Sequence, residues 1–264
     1  MDLAMHSVTA DDGCTVAYRV GAGEEPAVVV LHGLAGSGGE FVATAKALTG
    51  RKAVLIDQRG HGLSTRIPPS VTRDAFVRDV AAVIRASTSE PVHLVGHSMG
   101  AHTAMLVAAA HPELVRSLVL LEGAEGHGTV AEREALGDYF RSWPVPFRDR
   151  ATAQEFLGDG PLQRAWIDDL EERADGLHPR FDPDVMVAIL AEVAVPRWDE
   201  WARVEAPTLV VYAESGMFTE AQKSRFVERG RNVTRVDLDA GSHDAHLDTF
   251  DDWSAVLVDF VSSR

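Results

Sequence analysis

The sequence predicts an α/β fold in which helices cover both faces of a mostly parallel, doubly wound sheet. Three observations predict it: the apolar content allows a large core, short β-branched runs alternate with helical patterns, and several of these runs are apolar throughout. The chain has 264 residues, of which 45% are hydrophobic, enough to bury a core of domain size. Unbroken apolar strands are typical of parallel sheets that are covered on both faces.

The strand candidates are short runs rich in valine, leucine and isoleucine. They lie at 15–20, 27–33, 53–58, 92–97, 117–122, 208–213 and 232–239. Apolar residues recur at helical spacing between several of them. The predicted helices span 39–49, 73–87, 99–110, 219–229 and 249–262. Strands and helices thus alternate as a parallel sheet with helical crossovers requires.

One long segment, residues 123–205, breaks this alternation. It shows no convincing strand pattern, while tryptophan and proline accumulate in it. Because compact domains rarely contain a structureless loop of such length, we expect a helical cap inserted into a core formed by residues 1–122 and 206–264. The alternative is a small helical domain without a role at the functional site.

Charge and cysteine content narrow the function classes. The formal net charge is −15 and no basic patch is visible, which argues against nucleic acids and membrane surfaces as partners. The single cysteine, Cys14, excludes an internal disulfide framework, and the acidic N-terminal stretch does not resemble a signal peptide. We therefore expect a cytoplasmic monomer or homodimer that acts on a small-molecule substrate.

The stretch "LVGHSMGAH" at 94–102 carries the first sign of chemistry. An apolar strand runs into Gly96, Ser98 and Gly100, and a helix of small residues follows. In this nucleophile-elbow pattern a serine sits on a sharp turn with its hydroxyl exposed, and glycines avoid the clash that a Cβ would cause. We predict that Ser98 is a catalytic nucleophile.

A serine nucleophile also needs donors for the oxyanion that forms during attack. A strand ends at His32 and Gly33, and a glycine-rich turn follows. We expect the backbone N–H groups of Leu34 and Met99 to hold the oxyanion. The alternative is that these glycines only make a turn.

Four motifs in order make the sequence resemble the α/β-hydrolase superfamily. They are HG-x-x-GS at 32–37, D-x-RGHG-x-S at 57–64, GHSMG at 96–100 and GSHDAHLD at 241–248. The resemblance runs from Val28 to the end of the chain. It implies an α/β-hydrolase fold whose helical cap is inserted after the strand ending at Glu122, with Asp57 and Arg59 in structural roles. It does not fix the substrate, because the superfamily hosts many activities.

The resemblance places the catalytic base on the loop after the last strand, where the sequence offers His243 and His246. We predict His243, because it follows the short glycine turn expected of the superfamily, whereas His246 is expected to start or cap the final helix. With Asp244 and Asp248 the two histidines also form a possible metal cluster. No matching ligand set is visible elsewhere in the sequence, so we expect no metal and no cofactor.

The acid that orients the base has two candidates. The most frequent superfamily pattern has an aspartate soon after the strand at 208–213, but the sequence there reads AESG at 213–216. Some branches carry the acid one strand earlier, and Glu122 resembles that arrangement. A carboxylate that ends an apolar strand needs a partner, and Glu122 has no basic neighbour in sequence. Glu122 is therefore the first candidate and Glu214 the alternative.

The pocket is expected to form around these motifs and the cap. We expect it to be bordered by His32, Gly33, Trp143, Trp166, Met217 and Phe218. Lid aromatics commonly line pockets, although most aromatic residues at helical spacing pack in a core. The aromatic residues considered in the cap are Trp143, Phe147, Phe156, Trp166, Phe181, Trp198 and Trp201. Three histidines near the motifs are expected to make structural hydrogen bonds: His32, His61 and His97.

Together these features favour a metal-free serine hydrolase that cleaves an ester or lactone of a hydrophobic small molecule through an acyl-enzyme. A thioesterase or a C–C bond hydrolase would use the same residues with another leaving group. A ligand-binding sensor, which is not an enzyme, would keep the triad without turnover.

Overall fold

The computed structural model describes residues 2–264, and a sheet of eight strands forms its centre. The strands of this sheet and of a separate hairpin are β1 (Leu3–Thr9), β2 (Thr15–Gly21), β3 (Glu24–Leu31), β4 (Arg51–Ile56), β5 (Val92–His97), β6 (Val115–Leu121), β7 (Glu171–Arg173), β8 (Gly176–His178), β9 (Thr208–Tyr212) and β10 (Val233–Asp237). The order in the sheet is β1-β2-β4-β3-β5-β6-β9-β10. The β1–β2 and β2–β4 pairs are antiparallel and the others are parallel, which confirms the predicted fold class.

Helices occupy most of the remaining chain. Their bounds are α1 (Val42–Ala47), α2 (Arg73–Ser87), α3 (Met99–Ala110), α4 (Val130–Arg141), α5 (Arg150–Leu157), α6 (Pro161–Asp169), α7 (Pro183–Val193), α8 (Trp198–Trp201), α9 (Glu220–Arg229), α10 (Ala245–Asp248) and α11 (Phe250–Ser262). The sequence pattern predicts α2 and α3 correctly at both ends. No helix within residues 2–264 is both long and apolar enough to cross a membrane.

Two apolar layers pack these helices against the two faces of the sheet. Along β3, Val29 and Leu31 belong to the layer shared with α2 and α3, while Val28 and Val30 belong to the layer shared with α1 and α11. Successive side chains of a strand point to opposite faces. This double covering explains why the central strands are apolar without alternation.

The strand register brings the functional turns to one edge of the sheet. Leu31 of β3 pairs with Gly96 of β5, and His97 of β5 pairs with Leu121 of β6. The segments that follow these strands therefore start side by side at the carboxyl edge, where ligands bind in open α/β sheets.

The sequence pattern does not predict β1 or the β7–β8 hairpin. β1 is an edge strand whose residues are mostly exposed, so it lacks an apolar run. β7 and β8 are three residues long and largely polar, which is too short for a visible period. The expectation that residues 123–205 lack strands is therefore wrong at this hairpin.

The residues between β6 and β9 form α4 to α8 and the hairpin. They pack through an apolar cluster that joins Phe140 and Met186 to Phe76 and Met99. Because Met99 begins α3 at the carboxyl edge, this helical segment lies beside the turns described above. The division of the chain into core and cap stays a prediction.

Candidate active site

The turn between β5 and α3 holds Ser98 in a strained backbone conformation. Its φ is 52° and its ψ is −116°, a region that non-glycine residues rarely adopt. A Cβ on Gly96 would lie 2.3 Å from the carbonyl oxygen of Gly100, and a Cβ on Gly100 would lie 2.3 Å from that of Leu31. The turn therefore requires glycine at both positions, as the elbow pattern assumes.

Positive φ angles mark two further turns at the same edge. Among residues 2–264, the non-glycine residues with positive φ are Ala35, Ser98 and Glu122. Ala35 lies in the turn after β3, and Glu122 directly follows β6. Backbone strain of this kind clusters at functional sites, and here it coincides with the three turns that carry the predicted oxyanion donor, nucleophile and acid.

Glu122 is buried, and both oxygens of its carboxylate have hydrogen-bond partners. Oε1 accepts a hydrogen bond from the Ala213 amide at 2.9 Å, and Oε2 accepts one from the Met217 amide at 2.9 Å. The Nδ1 atom of His243 lies 3.3 Å from Oε2. A Cβ on Gly216 would lie 2.2 Å from Oε1. The loop after β9 thus wraps closely around this carboxylate, which is how an acid is accommodated at the end of an apolar strand.

His243 contacts the acid through one ring nitrogen only. Because a carboxylate is an acceptor, Nδ1 carries the proton in the neutral tautomer that fits this contact, and Nε2 is left as an acceptor. The side chain is one-quarter exposed. An imidazole held in this way is oriented to take a proton from a nucleophile.

The alternative acid and the alternative base lie apart from this contact. Glu214 is exposed and makes no side-chain hydrogen bond among residues 2–264. His246 is buried, stacks on Phe41 with ring centroids 4.4 Å apart, and lies 3.6 Å from a carboxylate oxygen of Glu40. Burial lowers the pKa of His246 to about 4, which makes it a poor proton acceptor at neutral pH.

Ser98 and His243 are not joined by a hydrogen bond in the described part of the chain. Catalytic hydrogen bonds are often long or poorly aligned in structures without substrate and tighten when substrate binds. The catalytic roles of Ser98, His243 and Glu122 stay predictions.

Leu34 and Met99 border the same cavity as Ser98. Neither backbone amide donates a hydrogen bond to another of residues 2–264, and Met99 is the first residue of α3, where N–H groups are free. A Cβ on Gly33 would lie 2.8 Å from the His97 ring, so the turn after β3 requires glycine to approach the elbow. The two backbone N–H groups beside Ser98 are therefore available to donate hydrogen bonds to an oxyanion.

His97 joins the elbow to the loop that carries the predicted base. Its Nε2 lies 2.8 Å from the carbonyl oxygen of His243, and the two ring centroids are 4.9 Å apart. Burial holds the pKa of His97 well below its usual range, so the ring is neutral. Since a carbonyl only accepts, Nε2 donates and fixes the backbone at His243.

One cluster near the base offers metal-ligand atoms. Donor atoms of His97, Asp244 and His246 lie within 4.8 Å of one another. However, Nε2 of His97 already donates to the His243 carbonyl, and Asp248 instead accepts from the Ser242 amide. A site without metal stays a prediction.

The D-x-RGHG-x-S motif forms a buried polar network. Asp57 accepts hydrogen bonds from Arg19 and from the Gly38 and Leu63 amides. Arg59 pairs with Asp79 through both oxygens. These contacts fit structural roles for Asp57 and Arg59. The ring of His61 likewise contacts the Arg59 carbonyl at 3.0 Å.

A cavity of about 310 Å³ opens beside Ser98, within the size range of small-molecule sites. Its wall consists of Leu34, Ser98, Met99, His102, Glu122, Ala124, Gly126, His127, Gly128, Glu132, Arg133, Leu136, Leu190, Val193, Met217 and Phe218. Met217 and Phe218 therefore lie where the sequence analysis expects them. The wall is largely apolar.

Four expected pocket residues do not line this cavity. Trp143 is buried in the aromatic cluster of the helical segment, and Trp166 packs against it at 5.4 Å between centroids. His32 is buried with Nδ1 on the Gly33 carbonyl and Nε2 accepting from the Gln58 amide. Gly33 faces the elbow. The expectation that these four residues border the cavity is therefore corrected. Trp143 and Trp166 pack in the apolar cluster of the helical segment, and His32 and Gly33 shape the turn after β3.

Sequence reasoning missed several polar residues of the wall. His102 lies one helical turn after Ser98, while His127 and Arg133 come from the segment that begins α4. The spacing of four between Ser98 and His102 is the available signal, since such residues share a helix face. For His127 and Arg133 no signal in sequence was present.

Comparison with known proteins gives concordant matches. The family described as alpha/beta hydrolase fold matches residues 26–250. The Mus musculus protein named sn-1-specific diacylglycerol lipase ABHD11 is 41% identical over 100 residues, which cover 37% of this chain and only 32% of that protein. The match thus spans about a third of that relative's length.

Two further matches cover more of the chain. The Mesorhizobium japonicum 2-(acetamidomethylene)succinate hydrolase is 28% identical over 211 residues, covering 75% of this chain and 74% of that protein. A crystal structure of E-2-(acetamidomethylene)succinate hydrolase superposes with a TM-score of 0.89 at 22% identity, covering 99% of this chain and 100% of that chain. At this identity the likeness shows the fold.

Proposed function

We propose that this chain, which belongs to the α/β-hydrolase family, is a serine hydrolase that cleaves a carboxylic ester or lactone of a hydrophobic small molecule. The observation that carries the proposal is the contact between His243 and a buried Glu122, beside a cavity that Ser98 borders. The ester bond is favoured by the mostly apolar wall and by the lipase activity named for the mouse relative.

In the proposed reaction, Ser98 Oγ attacks the carbonyl carbon while Nε2 of His243 takes its proton. The Leu34 and Met99 amides donate hydrogen bonds to the oxyanion. His243 then gives the proton to the leaving alkoxide, and an acyl-enzyme remains. Water, deprotonated by the same ring, attacks the acyl carbon, and Ser98 leaves with the proton. One ester and one water thus give one acid and one alcohol.

Glu122 stabilises the imidazolium that forms in each half-reaction. Its two backbone amide donors hold both oxygens in place. The carboxylate accepts from Nδ1 throughout and does not take up the proton.

Two tests address the proposal. Wild-type protein is expected to be labelled once by a fluorophosphonate, whereas Ser98→Ala is not labelled; Ser254→Ala, at a half-buried serine on α11, is the matched control. Stoichiometric labelling of Ser98→Ala, measured by intact-protein mass spectrometry, would contradict the nucleophile assignment.

The second test separates the alternatives. Sustained turnover of p-nitrophenyl butyrate supports an esterase, and a single stoichiometric release of p-nitrophenol would instead indicate a ligand-binding sensor. A kcat/KM that is larger for a butyryl thioester than for the matched oxygen ester would indicate a thioesterase. Turnover of a β-diketone without turnover of any ester would indicate a C–C bond hydrolase.

A further inference from the structure

His102 places an unused polar ring in the wall of the cavity. It lines the cavity with Ser98 and is 2% exposed, yet neither of its ring nitrogens has a hydrogen-bond partner among residues 2–264. A backbone contact with the Glu125 carbonyl acts to raise the pKa of His102, but burial outweighs it and holds this pKa well below its usual range, so the ring is neutral. Leaving a buried polar group without a hydrogen-bond partner is unfavourable, so a ligand group that bonds to this ring stabilises the complex.

A buried cation lies behind this part of the wall. Arg73 is 1% exposed, and Nη2 contacts the Thr103 hydroxyl and, at 3.5 Å, the Met99 carbonyl. Thr103 and Met99 flank the turn of α3 that carries His102. Nε and Nη1 of Arg73 have no hydrogen-bond partner within residues 2–264, and its guanidinium forms no ion pair there.

The charge of Arg73 is retained at neutral pH. Burial lowers the pKa of Arg73 to about 9, which is still above neutral pH. The charged groups that face it are Glu192 of α7, which favours the charge, and Arg197, which opposes it. Arg197 lies 3.5 Å from its own partner, Glu200. The guanidinium of Arg73 lies 4.3 Å from the centre of the Phe76 ring but has no carboxylate partner in the described part of the chain. A buried charge without an ion-pair partner is unfavourable, and an anion near His102 would compensate it.

The carboxylates of the cavity wall do not serve as that anion. Glu122 is bound by two amides and His243. Glu132 accepts from both the backbone and the hydroxyl of Thr129 in a helix-capping arrangement. The other cation of the wall, Arg133, only contacts a backbone carbonyl at 3.4 Å. The carboxylates of the wall therefore have hydrogen-bond donors, whereas among residues 2–264 the His102 ring has no partner and Arg133 has no anionic partner.

We propose that the substrate carries a carboxylate in addition to the bond that is cleaved, and that this carboxylate is bound by His102 with Arg73 supplying the positive charge behind it. The inference rests on the proposed function, because it names the class of ester that the cavity takes. An imidazole N–H and a nearby guanidinium form the charge-assisted contacts that carboxylates favour. The remaining apolar wall accepts the hydrocarbon part of the same molecule.

The test uses binding, so that it does not depend on turnover. Two probes of equal chain length are titrated by calorimetry into Ser98→Ala: monomethyl glutarate, which carries a free carboxylate, and methyl valerate, which does not. We expect the glutarate ester to bind about tenfold more tightly or better, as a hydrogen bond to a charged group allows. Equal binding, or tighter binding of methyl valerate, overturns the proposal.

Variants in the Ser98→Ala background locate the effect. His102→Leu is expected to abolish the preference, and His102→Asn, which keeps an N–H donor, to retain part of it. Arg73→Gln is expected to reduce the preference, and Arg73→Lys, which keeps the positive charge, is expected to retain it. The two Arg73 variants still test the proposal if a His102 variant folds poorly. Arg85→Gln removes an exposed arginine from the same helix, α2, and leaves the preference unchanged. A preference that survives both His102→Leu and Arg73→Gln overturns the assignment.

Wild-type turnover of the same two esters is measured in parallel. Absence of Ser98-dependent hydrolysis would contradict the proposed function while the binding preference still tests the carboxylate site. Hydrolysis without a binding preference would contradict the carboxylate site alone.

Discussion

The cavity has two sides that the chain builds differently. On the sheet-edge side, main-chain contacts fix each position: glycines are required around Ser98, and two backbone amides hold Glu122. On the opposite side, Leu136 and Leu190 project from α4 and α7, and no comparable contact dictates their identity. The backbone therefore positions the groups of the proposed chemistry, whereas the helix side chains of the opposite wall are expected to determine which substrates fit.

The largest effect that tests this comparison is expected on the sheet-edge side. Glu122→Gln removes the charge that stabilises the imidazolium and keeps one of the two oxygens, so only one of the amides of Ala213 and Met217 retains its acceptor. We expect kcat to fall by about 10³–10⁴, while the protein still folds with a lowered unfolding temperature. Steady-state kinetics with p-nitrophenyl butyrate measure it.

Glu214→Gln is the matched control and is expected to retain wild-type kcat, because Glu214 is exposed. The reverse outcome, with activity lost in Glu214→Gln and kept in Glu122→Gln, would assign the role of the acid to Glu214 in the loop after β9.

A smaller effect is expected from the backbone that holds the acid. In Gly216→Ala the new Cβ would lie 2.2 Å from Oε1 of Glu122, so the carboxylate must shift. A displacement of about 1 Å at a catalytic group costs roughly 10²-fold, and we expect kcat to fall by about 10–10². Ser215→Ala, at the adjacent exposed position, controls for the loop itself. Unchanged kcat in Gly216→Ala would show that the main chain does not set this position.

On the opposite side, a substitution is expected to change selectivity rather than chemistry. Leu190→Ala enlarges the cavity, so we expect the preferred acyl chain to become longer. We expect kcat for a short ester to change less than about tenfold, because losing a contact made equally in the ground state and the transition state changes KM and not kcat. A series of p-nitrophenyl esters of increasing chain length measures the shift. Ala191→Ser, exposed on the same helix, is the control. A collapse of kcat for all chain lengths would mean that α7 supports the chemistry as well.

The smallest effect is expected from metal removal. Treatment with EDTA followed by dialysis should leave kcat unchanged, because the proposed chemistry needs only side chains and backbone amides. A loss of activity that zinc restores would assign a role to the cluster of His97, Asp244 and His246.

The sheet-edge side of the cavity could be predicted from the sequence better than the opposite side. Ser98, the glycines beside it and His243 follow local patterns whose spacing reflects the backbone, so their placement at one edge was predictable. The choice between Glu122 and Glu214 stayed open, because it depends on how the loop after β9 folds back onto β6, a long-range contact.

The opposite wall could not be predicted for a related reason. Which face of α4 or α7 meets the cavity depends on how the helices pack, and the apolar pattern alone does not distinguish a core from a pocket. Trp143 illustrates this, since it satisfies a pocket prediction by its type yet is buried among other aromatic rings. Arg73 is similar: nothing in the sequence indicates that a helix N-terminal arginine is buried.

The loop from Ala213 to Phe218 holds the carboxylate of Glu122 with backbone amides alone, and its side chains at Met217 and Phe218 border the cavity. Directed evolution confined to those two positions is therefore expected to change specificity and to leave the proposed proton transfer intact, so long as Gly216 is kept.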